Sequence, residues 1–147
     1  MKSLLFSIIF LGFFANSQTF NQDYANVSHL VSQTNINNYL QEFEALGVKT
    51  TGSIENNNAY NWLKNKYTSF GYSEAEITKD NFTYNGNTTS NIIVTKQGTK
   101  YPNTYIIICG HYDTITGTGT NDNGSGVSVI LEVARLLKNI PTEYSIK

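Results

Sequence analysis

The chain has 147 residues, a net charge of −1, and only 14% charged against 39% hydrophobic residues. Its lysines and arginines are scattered, which argues against nucleic acid or an anionic membrane surface as a partner, since both require a basic face. A single cysteine, Cys109, excludes an internal disulfide, so stability outside the cytoplasm has to come from the core and from any bound metal.

Met1 and Lys2 make a short basic start, Leu4 to Phe14 is apolar, and Ala15-Asn16-Ser17 is a small-residue cleavage pattern. The apolar run falls well short of the roughly 20 residues a spanning helix needs. Residues 1–17 are therefore expected to be a secretory leader. The mature chain, 18–147, is expected to be secreted, periplasmic or extracellular, with no integral membrane span. It shows neither an internal repeat nor a linker-like change of composition.

Asn21 to Thr34 is polar, and the spacing there predicts surface cover, with His29 exposed to solvent. Ile36, Tyr39, Leu40, Phe43 and Leu46 recur at helical intervals, with Gly47 placed to end the helix. A second helix is expected over Ala59 to Phe70, closed by Gly71. Ile77 to Tyr84 alternates as an edge strand before the Asn85-Gly86 turn signal. Ile92 to Lys96 and Thr104 to Cys109 follow as strands, joined by a short loop with Gly98 and Pro102. Val127, Ile130, Leu131, Ala134 and Leu137 give the next helix a broad apolar face that should pack on the sheet. Tyr144-Ser145-Ile146-Lys147 opens another strand.

The stretch that carries chemistry, Tyr105 to Val127, YIIICGHYDTITGTGTNDNGSGV, runs from the strand ending at Cys109 through a loop into the helix that follows. Its apolar start suits a strand covered on both faces, with Cys109 an inert core residue. His111, Asp113 and Asp122 then fall just past the strand's carboxyl end, where open α/β sheets bind ligands. Imidazole and carboxylate together suit zinc. His111 and Asp122 are the candidate metal ligands, and the glycines between them let the loop fold back. Asp113, on an extended backbone two residues past His111, is placed to orient the imidazole. Taken singly, His111 reads as a loop histidine, Asp113 as a turn residue and Asp122 as a helix N-cap.

Gly110-His111-Tyr112-Asp113-Thr114, with Gly119-Thr120-Asn121-Asp122-Asn123-Gly124-Ser125-Gly126-Val127, resembles the di-zinc aminopeptidases of the co-catalytic metallopeptidase superfamily, which also contains the glutaminyl cyclases. Thr51-Gly52-Ser53 and Ser90-Asn91-Ile92-Ile93-Val94 add a weaker match to that family's fold. The resemblance implies a three-layer α/β/α sandwich with a mixed central sheet. It implies that His111 binds one zinc, that Asp113 orients it as part of the catalytic site, and that Asp122 bridges two zinc ions. It also implies a cis peptide between Asp122 and Asn123.

The same resemblance implies a Glu-Glu pair, a further acidic ligand and a second histidine, for which the chain offers no candidates. Glu132 lies roughly 15 Å along the helix from Asp122 at 1.5 Å per residue, and Glu143 falls at the far end of its strand. The sequence therefore reads as the amino-terminal portion of a secreted zinc aminopeptidase acting on peptides with a free amino terminus, inactive alone. The alternatives are a non-catalytic interaction module on the same fold, or a glutaminyl cyclase.

Overall fold

The computed structural model describes residues 20–147, so the expected leader at 1–17 lies outside the described residues. The order is α1 (Gln22–Ser28), α2 (Gln33–Ala45), α3 (Ile54–Ser69), β1 (Ile77–Tyr84), β2 (Asn87–Val94), β3 (Tyr101–Ile106), α4 (Gly126–Leu137) and β4 (Tyr144–Ile146). Among the described residues no helix is long and apolar enough to cross a membrane.

Local chemistry sets most boundaries. Ser32 caps α2 by accepting from the Asn35 amide at 3.2 Å, and Ser53 caps α3 by accepting from Asn56 at 3.0 Å. Asn85 and Gly86, with φ of 48° and 78°, build the tight turn that matches strand twist, and β1 pairs with β2 antiparallel from Tyr84–Asn87 back to Ile77–Val94. Three expectations are corrected here. The Asn21 to Thr34 stretch contains the short helix α1, capped by the Asn21 side chain, because an Asx cap suffices where apolar periodicity is weak. The second helix starts five residues early, at Ile54, and β2 starts at Asn87, because the Ser53 cap and the Asn85-Gly86 turn each extend regular structure past the apolar pattern.

β3 and β4 run parallel, and an isolated antiparallel bridge ties Ile146 of β4 to Lys96, two residues past the end of β2. The strands thus form two two-stranded sheets, β1-β2 and β3-β4, linked by that bridge, in an α/β arrangement. Its core packs Tyr39 and Phe43 of α2, Leu63 and Tyr67 of α3, and Val127 and Leu131 of α4 against Tyr72 and Ile77, with Ile92 and Val94 beneath. The expected strand over Thr104 to Cys109, covered on both faces, is a correction. Regular pairing ends at Ile106, Ile107 is 69% exposed, and Cys109 is on the surface, because the described residues supply no layer to cover this run. Ile107 to Cys109, with Ile92 to Val94 opposite and α4 beneath, line an apolar trough of ≈ 360 Å³.

Burial raises the phenols of Tyr67 and Tyr72, each to about 12, with Tyr72 and Glu76 respectively adding to the effect. Their rings meet edge to face at 6.0 Å, and the Tyr72 hydroxyl donates to the Ala134 carbonyl at 3.0 Å. A raised folded-state pKa contributes stability that is complete below the unfolded value of about 10 and is lost as pH rises through the folded one. Chemical unfolding followed from pH 9 to 12 should therefore show stability falling above about pH 10. In Tyr67→Phe that loss should be smaller.

Candidate metal centre

His111 lies five residues beyond the end of β3 (106 to 111), and Asp122 lies in a wide, irregular turn, Thr120–Ser125, that leads into α4. The loop between them folds back as the glycine spacing requires. Gly119, at φ 67°, occupies a backbone region that a Cβ disfavours, and its carbonyl accepts from the Gly124 amide at 2.8 Å. The peptide between Asp122 and Asn123 is cis. Asn123 fills the space beside Gly110 and Gly126. A Cβ at either glycine would come within 2.6 Å or 2.2 Å of its side-chain amide, so these positions allow the close approach.

The three sequence-derived residues come together. His111 Nε2 stands 3.0 Å from Asp122 Oδ1. On the other side of the ring, His111 Nδ1 is 3.1 Å from the Asp113 carbonyl oxygen and 3.3 Å from its carboxylate. The main chain of Asp113 is thus the nearer partner of the imidazole, with its side chain behind. Asp122 makes no helix cap. α4 begins after Ser125 without a side-chain cap, and the Asp122 side chain is 90% exposed.

Both ring nitrogens of His111 face oxygen acceptors, which a neutral imidazole cannot satisfy because it carries a single N–H. Partial burial pulls its pKa down, but the hydrogen bonds to the Asp113 carbonyl and the Asp122 carboxylate, with both negative charges, outweigh it, and the pKa stands above the ordinary value. When the ring is charged, a proton bridges Nε2 and Oδ1, and a cation can take that place. Two donors on one tetrahedral zinc stand ~3.3–3.5 Å apart, close to the spacing seen. The donor pair therefore fits zinc. Among the described residues, no cluster of three or more histidine, cysteine, aspartate or glutamate side chains completes a site.

Glu132 is committed elsewhere. It is buried, bonded to Arg135 at 2.7 Å and accepts from the Ser32 amide at 2.8 Å. Glu143 is exposed and faces Lys100 at 3.5 Å. Three residues overlooked at the level of sequence support the loop. Tyr112 donates its hydroxyl to the Ser90 carbonyl, tying the His111 segment to β2. Phe43 lies under Gly124, and Lys49 reaches the loop from the α2–α3 connection. Lysine is so rarely buried that only the isolation of Lys49 in an uncharged stretch, Gly47 to Ser53, could have drawn notice.

The family model of Peptidase family M28 matches residues 91–147, the stretch that holds all three candidate residues. This stretch is thus similar to peptidase family M28. Aminopeptidase YwaD of Bacillus subtilis is 40% identical over 67 residues, covering 44% of this chain and 14% of that protein. Among solved structures, LapB from Legionella pneumophila superposes with a TM-score of 0.72 at 22% identity, over 84% of this chain and 36% of LapB. The glutaminyl cyclase of Porphyromonas gingivalis gives 0.65 at 25% identity, over 80% of this chain and 44% of the cyclase. The chain thus spans less than half the length of these relatives. The fold is that of the family's aminopeptidases and of the glutaminyl cyclases.

Proposed function

We propose that His111 and Asp122 are zinc ligands of a secreted metallopeptidase that removes amino-terminal residues from peptides, with Asp113 orienting the His111 ring. The observation that carries this reading is the convergence of His111 Nε2 and Asp122 Oδ1 at 3.0 Å while Nδ1 is held by Asp113. Zinc, when bound, supplies a Lewis acid that polarises a carbonyl and brings the pKa of water toward about 7. The chain's own contribution is to hold the imidazole in one tautomer and to place a carboxylate beside it. Secretion rests on the leader pattern at residues 1–17. The identity with an aminopeptidase favours peptide hydrolysis over cyclisation of amino-terminal glutamine, although the cyclases share the fold.

Among the described residues no group of three or more histidine, cysteine, aspartate or glutamate side chains could hold a metal, and the sequence offers no candidate for the Glu-Glu pair that the resemblance implies. Residues 1–147 alone are therefore expected to bind zinc weakly and to release no chromophore from aminoacyl nitroanilides. Zinc titration of the purified chain, followed by NMR, should move the His111 ring resonances and leave those of His29 in place. Unmoved His111 resonances would overturn the ligand assignment, and steady turnover would overturn the inactivity of this stretch.

A further inference from the structure

Lys49 has no exposed surface, and none of its hydrogen-bond partners is a carboxylate. Its ammonium donates to three main-chain carbonyls, Phe43 at 3.1 Å, Gly47 at 2.7 Å and Thr118 at 2.8 Å, and lies 3.9 Å from the centroid of the Phe43 ring. An ammonium has three N–H groups, and all are used. Burying a cation with no carboxylate in contact is costly, so these carbonyl dipoles and the ring face together replace the hydration shell, with the Glu44 charge acting from a distance. A neutral side chain at position 49 would leave three converging carbonyl oxygens facing one another.

The main chain of the same residue is tied to the same loop. The Lys49 amide donates to Thr114 Oγ1 at 2.7 Å, and the Thr114 amide donates back to the Lys49 carbonyl at 3.1 Å. Lys49 thus grips the glycine-rich loop at two points, Thr114 next to Asp113 and Thr118 next to Gly119. Between those points Ile115 is 86% exposed, so the loop has little other packing of its own there.

We propose that Lys49 is a positioning residue of the metal centre: its ammonium clamps the Thr114–Thr118 loop onto the end of α2 and so sets the separation of His111 and Asp122. Its zinc arm rests on the ligand reading above, while its metal-free arm stands on loop geometry alone. In Lys49→Met, close in length and without the charge, zinc affinity should fall ~10–100-fold, the loss that removing an outer-shell support produces. In the zinc-free protein, the nuclear Overhauser contact between the His111 ring and the Asp122 β-protons should weaken or vanish. A purely structural role would lower the melting temperature while leaving both readouts unchanged well below it. A folded Lys49→Met protein with wild-type zinc affinity and an intact contact would overturn the proposal.

Should Lys49→Met not fold, the wild-type protein decides. A resolved, slowly exchanging Lys49 ammonium resonance with scalar coupling to the Thr118 carbonyl supports the clamp. A rapidly exchanging, averaged signal overturns it. Wild-type protein that binds no zinc would sink the ligand reading, leaving the metal-free contact to settle the role of Lys49.

Discussion

His111→Ala is expected to weaken zinc binding more than ~100-fold, because even the outer partners of a metal ligand are worth 10–100-fold. Asp122→Asn should fall nearly as far, because it removes the negative charge that draws the cation beside His111 Nε2. Asp113→Asn should lose less, since the Asp113 carbonyl at 3.1 Å still holds Nδ1 when the carboxylate is gone. Calorimetric zinc titration measures all three. Metal-free stability should move little, within ~0.5 kcal/mol, because the His111 and Asp122 side chains are 51% and 90% exposed. Equal zinc affinity in wild-type and His111→Ala protein would contradict the assignment.

The pH dependence of binding has a definite sign. The raised pKa of His111 means that the metal-free fold gains from the imidazolium below about pH 6.5 and loses that gain as pH rises through the folded value. Zinc needs the neutral ring, so its affinity runs the opposite way and increases as His111 deprotonates. Because the pKa is raised, that increase belongs at a higher pH than an unpaired histidine would give.

Phe43→Ala should produce the largest loss of stability, ~3–5 kcal/mol by the usual cost of truncating a fully buried aromatic. Its side chain is completely buried, packs against Trp62 at 6.1 Å, and underlies both Gly124 and the Lys49 ammonium. Removing the ring therefore opens a cavity beneath the turn that carries Asp122. The melting temperature should drop on the order of 10–20 °C for a domain of this size, and zinc affinity should fall with it. Leu131→Ala, equally buried but on α4, should cost ~2–5 kcal/mol while leaving zinc affinity near wild type at temperatures where the protein is folded. Comparing the two variants by calorimetry separates support of the loop from general packing.

How far the sequence foretold the structure differs from element to element. The helix over Ile36 to Leu46 and the hairpin at Asn85-Gly86 were legible because each carries both a periodic pattern and a stop or turn signal. The start of α3 was not, because Ile54-Glu55-Asn56-Asn57-Asn58 has no apolar repeat and only the Ser53 cap announces it. The apolar run after Tyr105 gave the direction of β3 but not its surroundings, since periodicity shows that a segment can be buried, not which layer buries it. The fold-back that brings His111 and Asp122 together could be read from residue types and glycine spacing. Lys49 could not, because its role depends on three main-chain carbonyls that only the tertiary path brings together.

The trough between Ile92–Val94 and Ile107–Cys109 has a practical consequence for anyone handling this polypeptide. A bare greasy furrow bordered by extended backbone is a template on which any stretched, water-shunning peptide can lie down, whether from the same molecule or from its neighbour. Concentrating the isolated 147 residues is therefore expected to favour self-association along this trough, which light scattering against concentration measures.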